Sequence, residues 1–174
     1  MNKLYFKYGT VNSSKTANLL MIRHNYLEQG FSVWCGKSYL DTREVGVIST
    51  RAGVEEAKCE TITPDYDFSK ITEDIILIDE AQFLSKEQVE ELFRISYNKP
   101  VICFGLLTDF RQTLFEGSKA LVELAESLEK IKTVCQCGRA ANFTIRVDEQ
   151  GDRVFGGDQI EAGYHYKAVC KRCL

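Results

Sequence analysis

Lys7-Tyr8-Gly9-Thr10-Val11-Asn12-Ser13-Ser14-Lys15-Thr16 joins two segments of different periodicity. Before it, Leu4, Phe6 and Tyr8 alternate with Lys3, Tyr5 and Lys7, the pattern of a strand ending near Gly9. After it, Ala17, Leu20, Met21 and Leu27 supply the apolar side of a helix from Lys15 to Gln29, which Gly30 can close in the left-handed conformation. Between them, Gly9 to Thr16 approaches the G-x-x-x-x-G-K-[ST] pattern. There, backbone N–H groups and the helix N-terminus surround phosphate oxygens. Lys15 would neutralise the β- and γ-oxygens of a nucleoside triphosphate, and the Thr16 hydroxyl would help hold Mg²⁺. Ser14 stands where the second glycine belongs, so its Cβ is expected to crowd the phosphates or strain the turn. The competing reading is a polar strand–helix loop with a chance Lys-Thr.

Working outward, Phe31 to Trp34 reads as a second strand, followed by a less regular stretch from Lys37 to Asp74. Ile75-Ile76-Leu77-Ile78 is a continuous apolar run, as expected of a strand covered on both faces. Ser85-Lys86-Glu87-Gln88 has capping-box spacing and opens a helix to about Tyr97. Val101 to Phe104 is another buried strand, and Ser118 to Lys130 another helix. Strands alternating with helices indicate a parallel α/β sheet. From Cys135 onward short segments lie between paired cysteines, which puts a boundary near Thr133: residues 1–133 form the nucleotide-binding domain and 134–174 a separate module.

Asp79-Glu80 follows the Ile75–Ile78 run directly. Ligands of α/β sheets gather at the carboxyl ends of strands, so this pair should face the phosphate loop. Asp79 fits a magnesium-binding role, and Glu80 can take a proton from an attacking hydroxyl. Two acids that merely solvate a strand end are the plainer alternative.

The chain has 174 residues, enough for one full core and a small appended module, and is 44% hydrophobic and 27% charged. A net charge of −3 advertises no broad basic surface for nucleic acid. No apolar run is long enough to span a membrane, and Met1-Asn2-Lys3-Leu4 lacks a secretory apolar region, so the cytoplasm is the expected compartment. Of seven cysteines, Cys35, Cys59 and Cys103 lie among apolar neighbours and read as buried thiols. Cys135, Cys137, Cys170 and Cys173 form two close pairs, which favours metal over disulfide. Four thiolates close a tetrahedral zinc site, structural because no position stays open. Free or redox-active thiols are the alternative. Between the pairs, Arg139, Arg146, Arg153 and Lys167 are offset by Asp148, Glu149, Asp152, Asp158 and Glu161, which argues against a phosphate-tracking face. His24 has no ligand-spaced partner and reads as a surface or packing residue, and Trp34 reads as core.

Taken together, these pieces resemble the type II (cellular-type) thymidine kinases, most closely the bacterial branch. The resemblance runs along nearly the whole chain. It is carried by Lys7-Tyr8-Gly9-Thr10, Asp41-Thr42-Arg43, Ser49-Thr50-Arg51-Ala52-Gly53 and Ile78-Asp79-Glu80-Ala81-Gln82-Phe83-Leu84. It continues through Phe104-Gly105-Leu106, Asp109-Phe110-Arg111, Leu114-Phe115-Glu116-Gly117-Ser118, Cys135-Gln136-Cys137-Gly138-Arg139 and Tyr166 to Cys173. The resemblance implies a P-loop (RecA-like) parallel sheet flanked by helices, with a small C-terminal zinc-ribbon-like module carrying a lasso loop. It implies transfer of the γ-phosphate of ATP to the 5′-hydroxyl of thymidine, and of deoxyuridine, with Glu80 as general base. Gly9, Thr10, Val11, Asn12, Ser13, Ser14, Lys15 and Thr16 would hold ATP, and Asp79 with Thr16 the magnesium. Arg43 would lie close to the reacting phosphates, and Ala81 and Gln82 beside the acids.

Phe110 would sit against the thymine ring. The lasso, reading the base through main-chain groups, is represented by Ile160, Glu161, Ala162, Gly163 and Tyr166, in a form altered and shortened from the usual apolar-Ile-Gly-Gly. Family members are often homotetramers inhibited by thymidine triphosphate. Two readings compete with this one. The chain can be a P-loop ATPase with another acceptor. Alternatively, Ser14 and the altered lasso can mark a weakened or non-enzymatic nucleotide-binding homologue.

Overall fold

Apolar runs that alternate between two covered faces become the central strands of one sheet. In this computed structural model, which describes residues 2–42, 44–50, 53, 56–161 and 163–174, the elements run in chain order β1 (Leu4–Gly9), α1 (Lys15–Glu28), β2 (Val33–Ser38), β3 (Val47–Ser49), β4 (Glu56–Lys58), β5 (Glu60–Ile62), β6 (Ile75–Asp79), α2 (Lys86–Ile95), β7 (Val101–Leu106), α3 (Glu116–Leu124) and β8 (Ser127–Lys130). A ribbon region follows with β9 (Thr133–Val134), β10 (Ala140–Ala141), β11 (Phe143–Val147), β12 (Arg153–Val154) and β13 (His165–Val169). Six strands form the main sheet in the order β5-β2-β6-β7-β1-β8, all neighbours parallel.

The two faces sort by residue parity. Leu4, Phe6, Ile76, Ile78, Val101 and Cys103 bury against Val89 and Leu92 of α2 and Ala120 and Leu121 of α3. Ile75, Leu77, Ile102 and Phe104 point the other way, onto Leu19 and Leu20 of α1. Both faces are covered, so the strands read as unbroken apolar runs rather than as alternation. β7 separates β1 from β6, but parallel strands all end on one edge, so the loops after β1 and β6 open on the same side.

Local chemistry sets most boundaries. The Ser85 hydroxyl accepts the Gln88 N–H at 3.2 Å while Gln88 Oε1 accepts the Ser85 N–H at 3.1 Å, the reciprocal cap expected of that spacing. Gly30 takes φ +86° past the end of α1. Three expectations need correction. Met21 and Leu27, expected on the apolar side of α1, are exposed, and Leu19 and Leu20 carry its buried side. The second strand begins at Val33 rather than Phe31, because the Asp74 carboxylate accepts both the Ser32 N–H (2.8 Å) and its hydroxyl (2.7 Å) and ties that residue to the segment entering β6. The helix expected over Ser118–Lys130 starts at Glu116, stops at Leu124 and gives way to β8. Its sequence is a good helix former, but the free edge of β1 offers a ladder from Tyr5↔Ser127 to Tyr8↔Lys130. The Leu4 N–H to Glu126 carboxylate bond (2.8 Å) and the Lys7–Glu129 ion pair fasten it. Tertiary pairing overrides propensity here.

Beyond β8, antiparallel β9–β10 and a β12-β11-β13 sheet enclose a third small core of Cys135, Ala141, Ile145, Val147, Val169 and Cys170. Among the described residues no helix is long and apolar enough to cross a membrane.

Candidate active site

The turn from β1 to α1 needs two residues with positive φ, and neither is glycine: Asn12 (φ 59°) and Ser14 (φ 59°, ψ 28°). The strain expected at Ser14 is therefore real, about 1–2 kcal/mol for an L-residue in this region. The backbone nevertheless adopts the conformation the missing glycine would give it, and Ser14 is exposed. Lys15 is buried, its ammonium donating to Thr10 O (2.7 Å) and Ser13 Oγ (3.3 Å), so the lysine is held inside its own loop. Because the backbone path is already glycine-like, Ser14→Gly is expected to change turnover by less than about tenfold, or 1.4 kcal/mol. Steady-state rates at saturating ATP check this; a larger rise would mean that the Cβ obstructs the phosphates.

The Thr16 hydroxyl donates to Asp79 Oδ2 at 3.0 Å. This bond brings the lysine-bearing turn and the acids at the exit of β6 together. Asp79 is buried, and burial first, then the charge of Glu80, push its carboxyl well above the ordinary carboxylate range; the Thr16 hydroxyl, the Glu80 N–H and Lys15 oppose that. Two acids side by side, one out of water, are costly unless a cation joins them. The donors are all oxygens, which suits a hard divalent ion.

Glu80 adopts φ 53° as the chain leaves the strand, a strained conformation for a residue with a Cβ and one that clusters at functional sites. Its Oε2 accepts from Gln82 Nε2 at 2.6 Å, and Gln82 Oε1 accepts the Leu106 N–H at 3.0 Å. Gln82 thus clamps the Glu80 side chain to the end of β7. Gly105 makes the room: a Cβ there would stand 2.7 Å from Gln82 Oε1. Ala81, fully buried, opens the short turn that carries Gln82. Lys37, which sequence reading passed over, is the penultimate residue of β2, in register with Asp79. Its buried amine holds the Val47 carbonyl (3.0 Å), the Glu44 carbonyl and the Asp41 carboxylate (3.5 Å). It organises the turn that follows Asp41-Thr42, while Arg43 lies outside the described residues.

The ribbon docks on the same edge. The Val11 N–H reaches Thr144 Oγ1 at 3.4 Å, and Gln112 Nε2 donates to Thr144 O at 3.1 Å. Gln159 Nε2 donates to the buried Asp109 carboxylate at 3.1 Å. Of the residues assigned to the nucleoside, Phe110 is only 2% exposed, Ile160 is 44% exposed, Gly163 turns with φ 88°, and Glu161 and Tyr166 both bond Arg146. Ala162 lies outside the described residues. Arg146, counted from sequence as one member of a balanced set of charges, is fully buried instead. The sequence carried no hint of this, since the alternation of Phe143-Thr144-Ile145-Arg146-Val147 puts Arg146 with Thr144 on the polar side of the strand.

The four paired cysteines converge, with all four sulfurs within 4.8 Å of one another and Cys137 Sγ 3.5 Å from Cys170 Sγ. Zn–S bonds of about 2.3 Å in a tetrahedron require S···S near ~3.8 Å, so the donor set fits zinc. The Arg139 N–H, then the neighbouring thiols, hold the Cys137 thiol down at about 6, and backbone N–H groups of Cys137 and Cys170 lower Cys135. Cys173 is pushed up to about 12 because its neighbours, Cys137 first, retain its proton. Cys35 and Cys103 are buried as expected, Cys59 is half-buried, and His24 is exposed.

The family model described as Thymidine kinase matches residues 2–174. The chain is 43% identical over 184 residues to the thymidine kinase of Chromobacterium violaceum, covering 100% of this chain and 98% of the relative. It is 44% identical over 184 residues to that of Streptococcus agalactiae, covering 99% and 96%. It is 42% identical over 185 residues to that of Listeria monocytogenes, again covering 99% and 96%.

Proposed function

The chain belongs to the thymidine kinase family, and we propose that it moves the γ-phosphate of ATP to the 5′-hydroxyl of thymidine and deoxyuridine. The observation that carries this reading is the 3.0 Å bond between Thr16 and Asp79, which joins the phosphate loop to the acids. Magnesium, held by Thr16 and Asp79, would neutralise charge on the β- and γ-phosphates. Lys15 would leave Thr10 and Ser13 for those oxygens, a short movement of one amine. Glu80, oriented by Gln82, takes the 5′-hydroxyl proton as the hydroxyl oxygen attacks phosphorus. Little covalent help is needed, since phosphoryl transfer depends on positioning and charge neutralisation. Arg43 would add positive charge at the phosphates. Phe110, the 160–163 segment and Tyr166 would border the base, with main-chain groups pairing thymine N3–H and O4. A base that leaves such groups unpaired is rejected.

The sulfur cluster would carry one structural zinc. Thiolate zinc chemistry and ATP both favour the cytoplasm. By its resemblance the protein would assemble as a homotetramer and bind thymidine triphosphate as an inhibitor. The alternative of a non-enzymatic remnant finds no support: the likeness to curated thymidine kinases runs the length of the chain, and Ser14 takes a left-handed conformation that a glycine there would adopt freely. γ-Phosphate transfer assayed with thymidine, deoxyuridine, deoxycytidine and purine deoxynucleosides tests the reading. Thymidine and deoxyuridine are expected to react fastest; equal purine rates would overturn the thymidine assignment.

A further inference from the structure

A guanidinium removed from water is costly unless its whole fork of donors is matched. Arg146, the penultimate residue of β11, is 0% exposed. Its Nε and Nη2 donate to the Tyr166 hydroxyl at 3.2 and 3.0 Å. Nη2 also reaches Asp158 O at 2.6 Å, and Nη1 reaches Gly156 O and Glu161 Oε2, both at 3.1 Å. Its central carbon lies 3.8 Å from the centre of the Phe110 ring. The partners therefore come from three separate places: the 156–161 segment, strand β13 and the turn after β7. Gly157, with φ 98°, wraps around the fork, and a Cβ there would run into both the Glu161 carboxylate and the Arg146 guanidinium.

We infer that Arg146 is a positioning residue for the nucleoside: it holds the 156–161 segment closed against the Phe110 turn, so the affinity for the acceptor depends on it. This rests on the thymidine kinase reading. Arg146 acts through the segment it holds, not on the reacting atoms. A planar, five-donor fork stacked on a ring is not replaced by an ammonium. Arg146→Lys is therefore expected to raise the thymidine KM by at least about tenfold while the ATP KM stays within about twofold. In the ligand-free protein, amides of residues 156–161 should exchange hydrogen faster, with the metal content unchanged.

Tyr166→Phe keeps the ring but removes the acceptor of two Arg146 bonds, and should accelerate exchange in the same segment to a smaller degree. A direct base contact by Tyr166 would not do so without nucleoside present. If Arg146→Lys does not fold, the exchange of Tyr166→Phe decides alone. Unaltered exchange, or thymidine and ATP KM values that rise together, would overturn the inference. Absence of nucleoside phosphorylation by the unmodified protein would instead defeat the functional reading, leaving the exchange result to judge Arg146.

Discussion

Replacing Glu80 with glutamine is expected to lower kcat by roughly 10²–10⁴ while leaving the dissociation constants of ATP and thymidine nearly unchanged. That loss corresponds to about 3–5 kcal/mol of transition-state stabilisation. The substitution is close to isosteric, so the strained φ of 53° and the contact with Gln82 can both persist. Glutamine cannot take up a proton, however, so under the proposed mechanism the attacking hydroxyl would lose its acceptor. Neither the phosphate loop nor the ribbon is touched, so ground-state binding should survive. Steady-state kinetics paired with calorimetric binding separate the two quantities. An unchanged kcat would remove Glu80 from the chemistry and leave the acids a purely metal-binding role.

The second large effect is expected from Cys170→Ser. This change should strip zinc from about one ion per chain to near none, since structural zinc sites owe about 10–16 kcal/mol to the complete ligand set. The ribbon cannot compensate: its core is six buried residues, and two of them, Cys135 and Cys170, belong to the sulfur cluster. On the proposed function, thymidine phosphorylation should fall at least about a hundredfold as the segment between the cysteine pairs loses its anchor, while ATP binding by the β1–α1 turn should persist. Metal analysis, nucleotide binding and turnover on the same preparation check all three. Zinc absent from freshly purified unmodified protein would sink the metal assignment; a fully active, zinc-free Cys170→Ser would show that the ion is dispensable.

Each of these expectations leans on features readable in different degrees from the chain. The strand, lysine-bearing turn and helix were legible because their chemistry is local: they lie within 25 consecutive residues, Leu4–Glu28. The Ser85–Gln88 cap was legible for the same reason. The four cysteines were legible as a set because thiols at that spacing have few other uses. Less visible were the clamp made by Gln82, whose partners are Glu80 and the Leu106 N–H, and the role of Lys37 beneath the Asp41 turn. These side chains earn their meaning from strands that are distant in sequence.

Local periodicity and turn chemistry were sufficient to specify the parallel α/β class, the lysine-bearing turn, the acid pair after β6 and the two close cysteine pairs, because each depends on a few neighbouring residues. Folding alone settled that Ser127–Lys130 pairs with β1 instead of extending a helix, and that Arg146 is buried at the junction of three segments. Both outcomes are competitions between a residue's intrinsic preference and partners far along the chain. A free sheet edge outweighs a fraction of a kcal/mol of helix propensity per residue, and a complete set of acceptors outweighs the pull of water on a charge. No window of sequence contains both sides of either balance.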